Sequence, residues 1–175
     1  MVRGPHGALL IVVLAAFAAS CGDEASFGAS AIELGGATPA GTGFSVLAGD
    51  TELVPGAQGG FHVWLKVRVR GVTPGRARMT HTARRKSDGR LLVKGERLVE
   101  VGASSMTLSG YEHPEPIPAF MCPSPLGTRV MDEEVSFVVT VTDLAGTPLA
   151  ETKATATPRC PTGEHAAFCA RICTG

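Results

Sequence analysis

The chain is poor in aromatic residues, with one tryptophan, one tyrosine and seven phenylalanines among 175 residues. Its core must therefore be built mainly from aliphatic side chains. It has no charge excess, with 16 basic residues against 16 acidic ones. That balance excludes a uniformly basic surface of the kind that grips polyanions. No apolar run reaches the roughly 20 residues of a membrane-spanning helix. The longest, Leu9 to Ala19, is too short. No stretch holds a helical period for long. Catalytic signatures are also missing. There is no GxSxG elbow for a nucleophilic serine. Gly56 to Gly60 lacks the Lys-Ser/Thr ending and following helix of a phosphate loop. Asp132, Glu133 and Glu134 are adjacent, so they point apart and do not face one another as an acid/base pair must. Without a reacting set, the sequence weighs against an enzyme, and no cofactor is expected.

Export is legible at the N-terminus. Arg3 and His6 precede the apolar run, and Ala18-Ala19-Ser20 leads into Cys21. A short basic start, an apolar middle and small residues at the end form a secretory signal. The placement of Cys21 resembles the lipobox of bacterial lipoproteins. That resemblance implies a signal peptide over 1–20 and fatty chains on Cys21, hence a membrane anchor without a spanning element. Gly22-Asp23 lacks an aspartate directly after the cysteine, which points to the outer membrane. Residues 21–42 are small and polar, with Gly35-Gly36 and Thr38-Pro39, and read as a flexible tether. Residues 43–175 read as one domain.

Four cysteines remain: Cys122, Cys160, Cys169 and Cys173. An even number in an exported chain points to two disulfides. All three pairings are open, and Cys122–Cys160 with Cys169–Cys173 is preferred. A four-thiolate metal site is the lesser reading, because paired CxxC knuckles are missing.

The strand signals are clear. Phe61, Val63, Leu65, Val67 and Val69 alternate with His62, Trp64, Lys66, Arg68 and Arg70. That is the two-residue period of a strand with one face inward. Val135, Phe137, Val139 and Val141 repeat the pattern within Glu134 to Thr142. Weaker strands are expected over 44–47, 52–54, 76–83, 90–94, 97–101 and 149–157. Ser87-Asp88-Gly89 is a hairpin turn. Residues 111–128 carry five prolines and read as a long connection with one extended piece near Ile117 to Met121. A helical turn is expected within Glu164 to Cys173. Together these predict an all-β, antiparallel β-sandwich with a disulfide-stapled C-terminal segment. From Phe44 to Val141, strand number and length resemble immunoglobulin-like domains, although no cysteines flank Trp64 at their usual separations. The stretch Gly-Ala-Gln-Gly-Gly-Phe-His-Val-Trp at 56–64 is similar to one in uncharacterised lipoproteins of myxobacterial type. It implies a secreted β-domain and no particular reaction.

Two surfaces stand out as candidate sites. Residues 66–97 are strongly basic. If the strands around them form a hairpin, Lys66, Arg68, Arg70, Arg76 and Arg78 make a positive stripe for an anionic envelope component or protein. Location argues against nucleic acid. His62 and Trp64 share the polar side of their strand and form a candidate contact surface. The leading expectation is a lipid-anchored cell-envelope protein that binds or scaffolds. The alternative is an envelope copper or zinc protein drawing on His62, His81, His113 or His165, though no HxH or HxxxH pair is present.

Overall fold

The computed structural model describes Met1 and residues 31–102, 106–107, 110–125 and 127–175. The signal segment and Cys21 lie outside the described residues. The chain runs through β1 (Ala31–Gly36), β2 (Ser45–Val46), β3 (Ala48–Glu52), β4 (Val54–Pro55), β5 (Phe61–Arg70), β6 (Gly75–Arg85) and β7 (Leu91–Val101). It continues through β8 (Met106–Thr107), β9 (Gly110–Glu112), β10 (Ile117–Cys122), β11 (Val135–Thr142), β12 (Pro148–Arg159) and α1 (Ala166–Cys173). The result is a mostly-β structure of two sheets with a C-terminal disulfide pair.

β5 organises the first sheet. It pairs with β1 and β4, and with β10 and β9; β2 extends β1 and β8 extends β9. The second sheet has the order β3-β12-β11-β6-β7. The alternating residues of β5 and β11 meet in the core, where Phe61, Val63, Leu65 and Val67 join Val135, Phe137, Val139 and Val141, all at or near zero exposure. β6 adds Ala77, Met79, His81 and Ala83 from its inward face. His81 fits because Gly95 stands opposite it in β7; a Cβ there would lie 2.3 Å from the imidazole.

Several expectations need correction. The tether does not extend through 42, because Ala31 to Gly36 pairs along β5 from Arg70 to Leu65. Leu34 supplies the reason: it is buried and anchors the strand to the core. The sheets are not wholly antiparallel, since β3 runs parallel to β12. The chain passes from the first sheet to the second at buried Leu47, between β2 and β3, and enters the second sheet at its edge. β5 and β6 do not form a hairpin. They belong to different sheets, and Gly71 to Pro74 carries the crossing. β12 runs through Pro158, which is tolerated because the ladder with β11 ends at Ala156 and only β3 pairs with β12 there.

The expected turn at Ser87-Asp88-Gly89 joins β6 and β7. Asp88 accepts hydrogen bonds from Arg85 Nε at 3.1 Å and from the Arg90 backbone N–H at 3.0 Å. Arg85 first, then the Arg90 amide, hold its carboxyl down at about 2, against an ordinary 3.8. The turn is thus favoured most fully above the ordinary carboxyl pKa, and that contribution is lost as pH falls toward 2. Acid titration of Asp88→Asn by circular dichroism is expected to show a smaller loss of stability between pH 4 and 2 than the parent. An identical acid limb would remove Asp88 from the account.

Candidate functional site

Both faces of β5 are covered, which sequence alternation does not show. Inward residues fill the core. On the other face His62 and Lys66 are buried and Trp64 is half-buried. Lys66 Nζ donates to the carbonyls of Pro114 at 2.8 Å and His113 at 3.3 Å, and stands 3.5 Å from Glu112. Arg68 Nε bonds Glu112 at 2.9 Å, while its guanidinium lies 3.7 Å above the Phe44 ring. Arg70 pairs with Glu33 at 3.0 Å. Each of these cations is paired with an acid from a neighbouring segment, Lys66 and Arg68 sharing Glu112. Arg76 and Arg78 stand on the other sheet, where Arg78 pairs with Glu96 at 2.9 Å. The five do not make one stripe, and the physical reason is the sheet crossing between β5 and β6.

His62 and Trp64 line a cleft of about 430 Å³. Gly56, Gln58 and Gly60 from the loop before β5 form one wall; Pro118 and Phe120 from β10 form another. β10 arrives there because Phe120 pairs with His62 and Ala119 with Val63. This alternation turns Ala119 inward and leaves Phe120 57% exposed beside the cleft. The imidazole of His62 meets Trp64 edge-on at 4.1 Å between centroids and Phe120 at 5.7 Å. The Trp64 indole N–H donates to the Pro39 carbonyl at 3.1 Å, which fixes the ring. Neither ring nitrogen of His62 has a hydrogen-bond partner. Burial pushes its pKa below 6.5, so the ring is neutral at neutral pH. Among the described residues no lysine, arginine, aspartate or glutamate lines this cleft.

Phe120 and Pro118 also border a second depression, at the seam with β7, where His81 and Gly95 lie. Burial first, then Arg97, lower the pKa of His81. The sequence did not single out Phe120. Its signal was slight: one aromatic opposite Ala119 and Met121 in a proline-rich stretch.

Gly60 shapes the mouth. A Cβ on it would fall 2.5 Å from the Cys122 carbonyl oxygen. That contact is with backbone and cannot swing aside. Gly60→Ala is expected to cost about 1–3 kcal/mol as overpacking. Urea unfolding checks this; a loss below 0.5 kcal/mol, on the order of a neutral surface change, would sink it.

The cysteines meet on the other side of Cys122. Cys122 bonds Cys173 and Cys160 bonds Cys169. The expected pairing is therefore corrected. Residues four apart on a helix hold their Cβ atoms about 5–6 Å apart, whereas a relaxed disulfide needs about 3.5–4.5 Å. Cys169 and Cys173 lie side by side on α1 with their sulfurs 3.7 Å apart, and each bonds elsewhere. Phe168 of α1 packs on Phe61 at 5.9 Å between centroids, and Phe61 is the register partner of Cys122. This brings the helix to the end of β10. The sulfurs of Cys160, Cys169 and Cys173 all lie within 4.8 Å of one another.

Among the described residues no metal-ligand cluster includes His62, His81, His113 or His165, and His113 Nδ1 lies 2.8 Å from the Glu115 carbonyl. Among the described residues no helix is long and apolar enough to cross a membrane.

No family model and no curated protein matches the chain. Among solved structures, a putative β-galactosidase from Bacteroides fragilis matches with TM-score 0.37 and 11% identity, over 55% of this chain and 13% of that one. A β-glucuronidase from Bacteroides uniformis matches with TM-score 0.35 and 19% identity, over 55% of this chain and 11% of that one. The chain thus spans a small part of either protein, and likenesses this slight carry no argument about activity. The sequence weighed against an enzyme, and that weighting is corrected. The finding behind the correction is the cysteine cluster, whose three sulfurs within 4.8 Å of one another have a metal-ligating capacity that the sequence ranked below bridges.

Proposed function

We propose that this protein is an exported, lipid-anchored binding protein that takes a neutral ligand in the cleft between β5 and β10. Cys21 would hold it to the outer membrane, and the segment before β1 would lift the domain clear. The two sheets would serve as an immunoglobulin-like sandwich, a rigid frame for the cleft. One observation carries the reading: a cleft of about 430 Å³ edged by Trp64 and Phe120 and, among the described residues, lined by no lysine, arginine, aspartate or glutamate. Its size is that of a small-molecule site, and its aromatic edges suit a flat, apolar ring face. Gln58 offers the polar contact that would orient such a ligand. The neutral lining favours a neutral ring compound over an anion, which moves the expected contact away from the arginines.

The chain has a single tryptophan, so its fluorescence reports the cleft directly. Neutral saccharides and neutral phenyl compounds are the probes. At least one class is expected to shift Trp64 emission saturably, whereas inorganic phosphate and sulfated glycans leave it unchanged. Phe120→Ala, an exposed change, is expected to weaken binding about tenfold, or about 1.4 kcal/mol. If no neutral ring compound gives saturation, the cleft reading is lost. Mass spectrometry of protein extracted from membranes is expected to show fatty chains on Cys21.

A second reading, metal binding in the envelope, is favoured by the three clustered sulfurs of Cys160, Cys169 and Cys173.

A further inference from the structure

The two disulfides bring three sulfurs into one cluster, and one unbonded pair in it has the spacing of a metal site. Zinc bound to thiolates at about 2.3 Å in a tetrahedron sets its sulfurs roughly 3.8 Å apart. Cys169 and Cys173 already stand at 3.7 Å, and Cys160 lies within 4.8 Å of both. Cys122 stands outside that group of three but is bonded to Cys173, so breaking the bridge leaves a fourth thiol next to it. The four come from three elements that the core and the α1 docking contacts hold in place: the end of β10, the residue after β12, and one face of α1. The i,i+4 spacing on the helix, poor for a disulfide, suits two ligands on one ion. Cys122, Cys169 and Cys173 are buried, while Cys160 is part-exposed and gives a reductant access.

We propose that, once both disulfides are reduced, Cys122, Cys160, Cys169 and Cys173 form a four-thiolate site for one Zn²⁺ ion. This rests on the metal-binding reading and gives it a place and a redox condition. Reduction takes two electrons and two protons per bridge. Two molecules of a dithiol reductant supply them and leave as disulfides. Zinc then displaces the thiol protons to solvent as its bonds to sulfur form. Exchange with two molecules of a small-molecule cyclic disulfide, which take up two electrons per bridge and leave as dithiols, reverses the sequence and releases the ion. The cluster is thus a switch between two bridges and one metal.

The test uses the full purified chain, reduced anaerobically with a phosphine and titrated with Co²⁺ and then Zn²⁺. One equivalent of cobalt is expected to give a sulfur-to-cobalt charge-transfer band, which one equivalent of zinc abolishes. The oxidised chain is expected to bind neither. Cys160→Ser, at the part-exposed corner, is expected to weaken zinc binding at least 100-fold. The double variant His62→Ala/His81→Ala is expected to leave binding unchanged. Far-UV circular dichroism is recorded on every sample, and zinc is expected to raise the melting temperature of the reduced chain. If zinc binds but depends on the histidines and not on Cys160, this site falls while the metal reading survives. If no metal binds to the reduced chain in either folded or zinc-refolded form, both fall.

Discussion

Phe137→Ala is expected to remove about 3–5 kcal/mol of stability. Phe137 is fully buried on β11, the middle strand of the second sheet. It lies among Val135, Val139 and Val141 of its own strand and faces the inward residues of β5 across the core. Its neighbours on both sides are ladder-paired, Ala83 on β6 and Ala154 on β12, so the backbone cannot close the gap. The lost transfer energy and the remaining cavity therefore add. Small domains have only about 5–15 kcal/mol of stability in total, so the variant should stand near the edge of unfolding. Urea denaturation with the disulfides intact measures it. A loss under 1 kcal/mol, roughly that of a conservative core swap, would mean that the two sheets do not share the core described above.

Replacing both Cys122 and Cys173 by serine is expected to cost about 4 kcal/mol, from the entropy of a loop closed over 51 residues. Removing both Cys160 and Cys169 should cost about 2.5 kcal/mol, because that loop closes over only 9. Double variants are needed, since a single serine leaves a thiol beside the surviving bridge. The order matters more than either value. The Cys122–Cys173 bridge joins β10 to the C-terminal helix, and the same helix end also accepts hydrogen bonds at the Cys173 carbonyl from Val130 at 2.9 Å and Met131 at 3.2 Å. Thermal unfolding of the two double variants should therefore show the larger drop for the longer loop. Equal or reversed drops would contradict the pairing. The helix is also expected to detach first in the less stable variant, visible as early hydrogen exchange over Ala166 to Cys173.

The strongest strands were legible because their cause is local. Successive side chains of an extended chain point to opposite faces, so β5 and β11 show their inward residues directly in the order of valines and phenylalanines. β6 was less plain, and its weak face makes sense only beside Gly95, where the His81 ring finds room. The extended piece expected near Ile117 to Met121 within the proline-rich stretch is β10, which tolerates Pro118 as the edge strand it is on that part of the sheet. The cleft could be half read. His62 and Trp64 stood out, but Phe120 and Gln58 reach them only through strand pairing and a loop. The basic stripe is split by the sheet crossing between β5 and β6, and charge counted along 66–97 also takes no account of Glu33, Glu96 and Glu112, which the fold brings to those arginines.

Sequence alone determined the β character, the inward faces of the two main strands and the presence of four cysteines suited to bridges. It also carries the whole case for export, because the signal segment lies outside the described residues. Tertiary structure decided which sheet each strand joins, which sulfurs meet, and that Lys66 is buried under carbonyls rather than offered to a partner. The division follows range. Side-chain alternation repeats every two residues and is written into adjacent positions. A sheet crossing, a disulfide partner or a cleft wall joins residues tens of positions apart, and only the packing of one common core selects among the arrangements that the local pattern permits.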